Sequence, residues 1–275
     1  MKKMLDHFLR DVQYHLVRLR WKKPRRPVIV YQMGKVASKS VYQSLKDTTD
    51  CSTFHVHRLS PENIESVRLR HVKLGYTQPH EKVPLLLYDR LIKNADQPTL
   101  IISLVREPIG RNISAFFQNL GSFFESPEAH QTVATEQMVS HFLDQYSHDV
   151  PLNWFDDEMK ATTGIDVYSQ PFSTDQGHVT LEADPFRLLV MRHDLPDESK
   201  QQCIREFLGD NSFQLSRHNE ASAKSYSESY KSFIKRIKIP DSYAEQMLGS
   251  RYAKLFYSAL RSGNPAFVPR KNRGS

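Results

Sequence analysis

The sequence predicts an α/β fold, a three-layer sandwich with a mostly parallel central sheet. Three observations carry that expectation. Val28-Ile29-Val30-Tyr31 is a short apolar run that gives way to a turn, Gln32–Ser40, and then to helical spacing at Val41 and Leu45. Thr99–Val105 is the strongest strand pattern in the chain: continuous, apolar and β-branched, as in a strand buried on both faces. That second run passes straight through Arg106-Glu107-Pro108 into a helical pattern, Ile109–Leu120.

The remaining elements follow in order. Residues 1–26 read as a basic helix and linker, with Leu5, Phe8, Leu9, Val12, Leu16 and Leu19 at helical spacing and Lys22-Lys23-Pro24-Arg25-Arg26 at the end. The favoured reading packs that helix on the domain; the other lays it on an anionic membrane surface. Thr53–His57 alternates, so Phe54 and Val56 share one face and His55 and His57 the other. Ser60-Pro61 starts a helix to about Leu74, with Ser as cap and Pro in the first turn. Pro84–Asn94 reads as a helix despite its apolar Leu85-Leu86-Leu87 run. Ser126-Pro127 opens a helical stretch through Met138, Phe142 and Tyr146. Asn153–Met159 reads as a short helix whose Asp156, Asp157 and Glu158 suit a helix dipole. His178–Ala183 and Arg187–Met191 are strands, then a helix runs from Pro196 to Leu208 with Gly209 as C-cap. From Tyr226 the chain is helical, with apolar stripes on both sides of Pro240. The organisation expected is one α/β domain over 27–262 and a disordered tail over 263–275.

Composition narrows the function without choosing it. A net charge of +7 suits an anionic partner, such as a nucleotide, an acidic glycan or a lipid surface. The apolar stripes are core faces rather than stacking platforms, so no nucleic-acid partner is expected. Cys51 and Cys203 are far apart and lack metal-ligand spacing, which fits reduced thiols. There is no apolar run of bilayer-spanning length and no signal-peptide pattern. The expected location is the cytoplasm, with peripheral membrane contact through the basic N-terminus as the further expectation.

The turn after the first strand carries chemistry. A helix start offers unpaired N–H groups and a positive dipole end to an anion. Gly34 admits close backbone approach, Lys35 and Lys39 add charge, and Ser38 and Ser40 add hydroxyls. A Walker loop needs two glycines and a hydroxyl after its lysine; here one glycine is present and Val36 follows Lys35. Arg106 ends the second buried strand, and Ser114 lies two turns into the next helix, a pattern that fits a two-point phosphate clamp. His55 and His57 end a strand at the edge where open α/β sheets bind ligands.

Taken together, Gly34–Ser40 after one strand and Arg106…Ser114 after another resemble the sulfotransferase family. Gly34-Lys35-Val36-Ala37-Ser38 is similar to the P-K-[TV]-[AG]-[ST] loop of carbohydrate sulfotransferases, with glycine in place of proline. Val105–Leu120, Asn153–Asp156 and Tyr252–Ser258 further resemble bacterial capsular polysaccharide synthesis proteins. The resemblance implies a P-loop NTPase-like sulfotransferase fold and, as donor, 3′-phosphoadenosine 5′-phosphosulfate (PAPS), with a carbohydrate hydroxyl as acceptor and no metal requirement. It implies that Gly34, Lys35, Val36, Ala37, Ser38, Lys39 and Ser40 hold the 5′-phosphosulfate, and that Arg106 and Ser114 hold the 3′-phosphate. It implies Lys35 as the group that offsets leaving-group charge, and His57, then His55, as the base. Two rivals stand beside it: a kinase using Mg-ATP, and a non-catalytic module that binds acidic glycan.

Overall fold

The computed structural model describes residues 25–73, 81–216 and 225–258. The N-terminal helix expected over most of 1–26 and the tail expected over 263–275 lie outside them. The described strands are β1 (Val28–Tyr31), β2 (Thr53–Val56), β3 (Thr99–Val105), β4 (His178–Ala183) and β5 (Phe186–Arg192). They form one sheet in the order β2-β1-β3-β5-β4. β2, β1, β3 and β5 run parallel, and β4 is an antiparallel edge strand on β5. This is the mostly parallel α/β sheet that the apolar runs predict. Every residue of β1 is 0% exposed. Since neighbouring side chains point to opposite faces, both faces of the sheet are covered there.

Helices connect the strands. α1 (Ser38–Thr48) follows β1, and α2 (Pro61–Lys73) follows β2. Ser60 caps α2 as expected: its Oγ accepts from Asn63 N at 3.2 Å. α3 (Lys82–Leu87) runs into a wider π turn, Tyr88–Lys93. α4 (Pro108–Gln118) follows β3, with Glu107 accepting from Ile109 N and Gly110 N at its start. Next come α5 (Leu120–Phe123), α6 (Ala129–Thr132), α7 (Thr135–Asp144), α8 (Val150–Trp154) and, after a π turn at Phe155–Lys160, α9 (Ala161–Thr163). α10 (Asp197–Leu208) ends at Gly209, whose φ of 59° is the left-handed conformation expected of that C-cap. α11 (Ser227–Arg236), α12 (Asp241–Leu248) and α13 (Arg251–Phe256) complete the described chain.

Two readings need correction. The stretch after Ser126-Pro127 is not one helix: the chain leaves helical geometry at Val133 and Ala134, and Val133 turns against an apolar cluster. The acidic run 156–158 is not a helix first turn either. Helix starts earlier, at Val150, and the three carboxylates fall in the π turn, with Glu158 fully buried. The reason is tertiary: Glu158 is drawn inward by partners on other elements.

The core has two clusters. The larger one packs the sheet with Val41, Leu45, Trp154, Ile204, Phe207, Tyr252 and Phe256. The smaller one joins α4, α7, α11 and α12 through Phe116, Phe117, Phe142 and Phe233. Both thiols are free. Among the described residues no helix is long and apolar enough to cross a membrane.

Candidate functional site

The chain leaves β1 for β2 on one side of it, and later forms β3 on the other side. In open α/β sheets such a reversal leaves a crevice beyond the carboxyl ends of the strands, where ligands bind. The Gly34–Ser40 loop follows β1 at that point, and Arg106 follows β3.

The loop is held in a strained form. Lys35 and Ala37 have φ of 77° and 62°, a left-handed conformation that costs a non-glycine residue roughly 1 kcal/mol or more. Gly34 is not the residue that needs it. A Cβ built at Gly34 would meet His57 Nε2 at 3.8 Å, an ordinary contact. Burial of Met33 (1% exposed) and Val36 (0%) anchors the loop from below. Two arginines anchor it from β3 and α4: Arg106 Nη1 donates to Lys35 O at 3.3 Å, and Arg111 Nε donates to Gly34 O at 3.0 Å. The two strand tips therefore meet. Arg111, buried and also bonded to Asn112 Oδ1 at 3.0 Å, is part of the site that the sequence did not single out.

The electrostatics favour an anion. Ala37 gives α1 no side-chain cap, and no acidic residue lies in its first turn. Lys39 sits there instead, next to the positive dipole end, where a cation is unfavourable without a counter-charge. Lys35 Nζ donates to Gln118 Oε1 at 2.5 Å.

The tip of β3 is fixed by late residues. Tyr252 Oη accepts from Arg106 N at 3.1 Å and donates to Arg106 O at 2.8 Å. Tyr257 Oη donates to Val105 O at 3.0 Å, and His193 N donates to the same oxygen at 2.8 Å. Arg106 also lies near enough to Tyr230 and His193 to perturb both. Ser114 is half-buried and its hydroxyl makes no hydrogen bond among the described residues, so none joins it to Arg106.

The two histidines share a face, as the alternation predicts, with ring centroids 5.0 Å apart. Their surroundings differ. His55 stacks on Tyr42, and its Nε2 lies 2.9 Å from Ser38 Oγ and 3.1 Å from Gln32 Nε2. Burial, with His57 and Lys39 nearby, pushes its pKa down to about 3. Gln32 Nε2 can only donate, so His55 Nε2 carries no proton and accepts; the Ser38 hydroxyl donates to the same nitrogen and must re-aim to reach a ligand. Gln32 is fully buried, bonds Ser38 Oγ at 2.8 Å, and leaves its Oε1 without a partner among the described residues.

His57 is exposed. Its Nδ1 lies 2.9 Å from Gln32 O, which can only accept, so Nδ1 carries the proton and Nε2 keeps its lone pair. Partial burial pulls its pKa below 6.5, and Arg58, Arg111 and Lys35 push the same way, against the Gln32 bond. Exposure weakens the burial contribution, but the three cations keep the direction. A neutral imidazole with an available Nε2, facing a cationic loop, can take a proton from a hydroxyl beside a bound anion.

Two shallow hollows of about 430 and 390 Å³ flank edge strand β4, lined in part by Phe172, Gln176, His178 and Glu182. They lie beyond β5 from this loop and gather no comparable set of groups. Among the described residues no three His, Cys, Asp or Glu side chains form a metal-binding group.

Comparison with known proteins gives one family match. Residues 131–258, just under half of the chain, match the model of the NKWYS family, described as "putative capsular polysaccharide synthesis protein". No curated protein matches, and no solved structure matches. The likeness to capsule-synthesis proteins is thus found in the later half of the chain, whereas the loop and Arg106 lie before it.

Proposed function

We propose that this chain is a biosynthetic transferase for a surface polysaccharide, and that it moves a sulfuryl group from PAPS to a carbohydrate hydroxyl. One observation carries the reading: the β1 loop and the β3 tip meet at the topological switch point, through Arg106 and Arg111 on loop carbonyls, with His57 Nε2 beside the loop. The α1 amino end with Lys35 and Lys39 suits the 5′-phosphosulfate. Arg106 suits the 3′-phosphate, and Ser114 is its further candidate ligand. The capsule-synthesis description of the matching family supports a polysaccharide setting.

His57 would take the acceptor hydroxyl proton on Nε2 as the new O–S bond forms and the bond from sulfur to the 5′-phosphate oxygen breaks. Lys35 would offset the charge that develops on that oxygen. Arg111 keeps the loop in place while this happens. His55 is the less suited base, since its Nε2 already accepts from Ser38.

The test is acceptor-dependent transfer. The chain, incubated without metal, with donor carrying labelled sulfur and a panel of polysaccharides, should label at least one polysaccharide and release 3′-phosphoadenosine 5′-phosphate in equal amount. Labelling absent across the panel, with magnesium-dependent phosphate transfer from ATP instead, would favour the kinase.

A further inference from the structure

The turn that presents His57 is held from behind by a segment no motif of the loop explains. Among the described residues His57 makes one side-chain hydrogen bond, to Gln32 O. Its backbone is fixed elsewhere. Trp154 Nε1 donates to His57 O at 2.9 Å. The Glu158 carboxylate takes the next free amides: Leu59 N at 2.7 Å and Ser60 N at 3.0 Å, both on Oε2. The same carboxylate accepts from Asn63 Nδ2 on α2 at 2.5 Å and from the Tyr31 hydroxyl at the end of β1.

This arrangement is costly to build. Glu158 is 0% exposed, and Tyr31 and Trp154 are 0% and 5% exposed. A buried carboxylate is tolerated only when its lone pairs are filled. Here they are filled by donors from β1, from the turn after β2 and from α2, and Arg58 on that turn supplies a nearby positive charge. A carboxylate meant only to stabilise its own helix would not need partners on three other elements. The common consequence of these contacts is that the path Val56–Ser60 has one conformation, with the imidazole anchored at Gln32 O and its Nε2 facing Gly34.

We infer that Trp154 and Glu158 are positioning residues for His57: they lock the turn that fixes the imidazole's tautomer and aim. The inference deepens the transferase reading, since His57 is its base, yet the geometry does not depend on which group is transferred. It also gives the later half of the chain a part in the site, because both residues fall within 131–258.

The test reads the tautomer directly. The full chain is labelled with ¹⁵N in the histidine rings, and the His57 signals are assigned by their loss in His57→Gln. In the wild type near neutral pH, Nδ1 should be protonated and Nε2 not. In Trp154→Phe, which removes the donor together with part of the buried ring, and in Glu158→Gln, the two nitrogen shifts should move toward each other as tautomers mix. If an acceptor is known, kcat should fall roughly tenfold or more with unchanged donor affinity, because small misplacement of a base is costly in rate. Tyr31→Phe, a milder change, should move the shifts in the same direction and keeps the test available if either larger variant fails to fold. Wild-type shifts in all folded variants would overturn the positioning role. A shifted tautomer with no sulfuryl transfer by the wild type would uphold it and overturn the transferase reading instead.

Discussion

Residues 25–120 and residues 131–258 play different parts. The first stretch carries the loop, Arg106, Arg111 and both histidines, and lies before the matched residues 131–258. The second matches a capsule-synthesis family and lends the site almost no side chain of its own. It lends hydrogen bonds to the first: Tyr252 and Tyr257 pin the β3 tip, and Trp154 and Glu158 pin the turn after β2. In the proposed site, presenting the side chains and holding their backbone are thus divided between two regions. A family resemblance can then reside in the supports while the chemistry is read from physics.

The largest effects should come from the first region. Lys35→Ala and His57→Ala should each cost on the order of a hundredfold or more in kcat, and His57→Ala should leave donor affinity intact. Normal turnover by His57→Ala would move the base elsewhere and dissolve the contrast between the regions. Wild-type activity should also fall on the acid side with a midpoint below 6.5, because His57 is held below that value and must be neutral to work.

Arg106→Ala comes next. It should weaken 3′-phosphoadenosine 5′-phosphate binding by roughly tenfold or more, about 1.5–3 kcal/mol for a charged hydrogen-bond partner. Adenosine 5′-phosphate should lose much less. Equal small losses for both nucleotides, measured by equilibrium titration, would remove the second phosphate subsite.

Tyr252→Phe sharpens the comparison. It removes the hydroxyl that bonds both Arg106 N and Arg106 O from a side chain 1% exposed. Chemical denaturation should show a loss of about 1–3 kcal/mol, while nucleotide binding falls less than in Arg106→Ala. The reverse order would make Tyr252 part of the binding surface rather than a support.

The last effect concerns acid stability. His55 folds with a pKa of about 3 and His193 with one of about 4, both below 6.5. Between those values and 6.5 the unfolded chain holds protons that the folded chain lacks. Stability is therefore full above 6.5 and is lost as pH falls through that window. Glu107 and Glu158, raised above 4.5 by burial, act in the opposite sense just above that value. Comparing His55→Gln with wild type cancels them. The variant should show a shallower acid decline, by up to ~1.4 kcal/mol per pH unit. An unchanged slope would mean that His55 is not held neutral.

Much of the fold was legible because the central strands are buried on both faces. Thr99–Val105 has the bounds its pattern suggests. The meeting of the two strand tips followed from strand–turn–helix order and the switch-point rule. Other features had no local signal. Left-handed Lys35 and Ala37 break the usual link between that conformation and glycine; Arg106, after a distant strand, and Arg111, on the next helix, hold the Lys35 and Gly34 carbonyls of that loop. Arg111 looked like any helical arginine until α4 was packed against the loop. Glu158 read as a dipole residue because its four partners lie 95 or more residues away in sequence.

In the proposed function two strand tips grip the two phosphates of one adenosine. Calorimetric titration of the full chain with 3′-phosphoadenosine 5′-phosphate, without metal, beside ATP with magnesium, tests it most directly. The bisphosphate should bind one-to-one and more tightly than ATP. Tighter magnesium-dependent ATP binding, or no heat with either nucleotide, would contradict it.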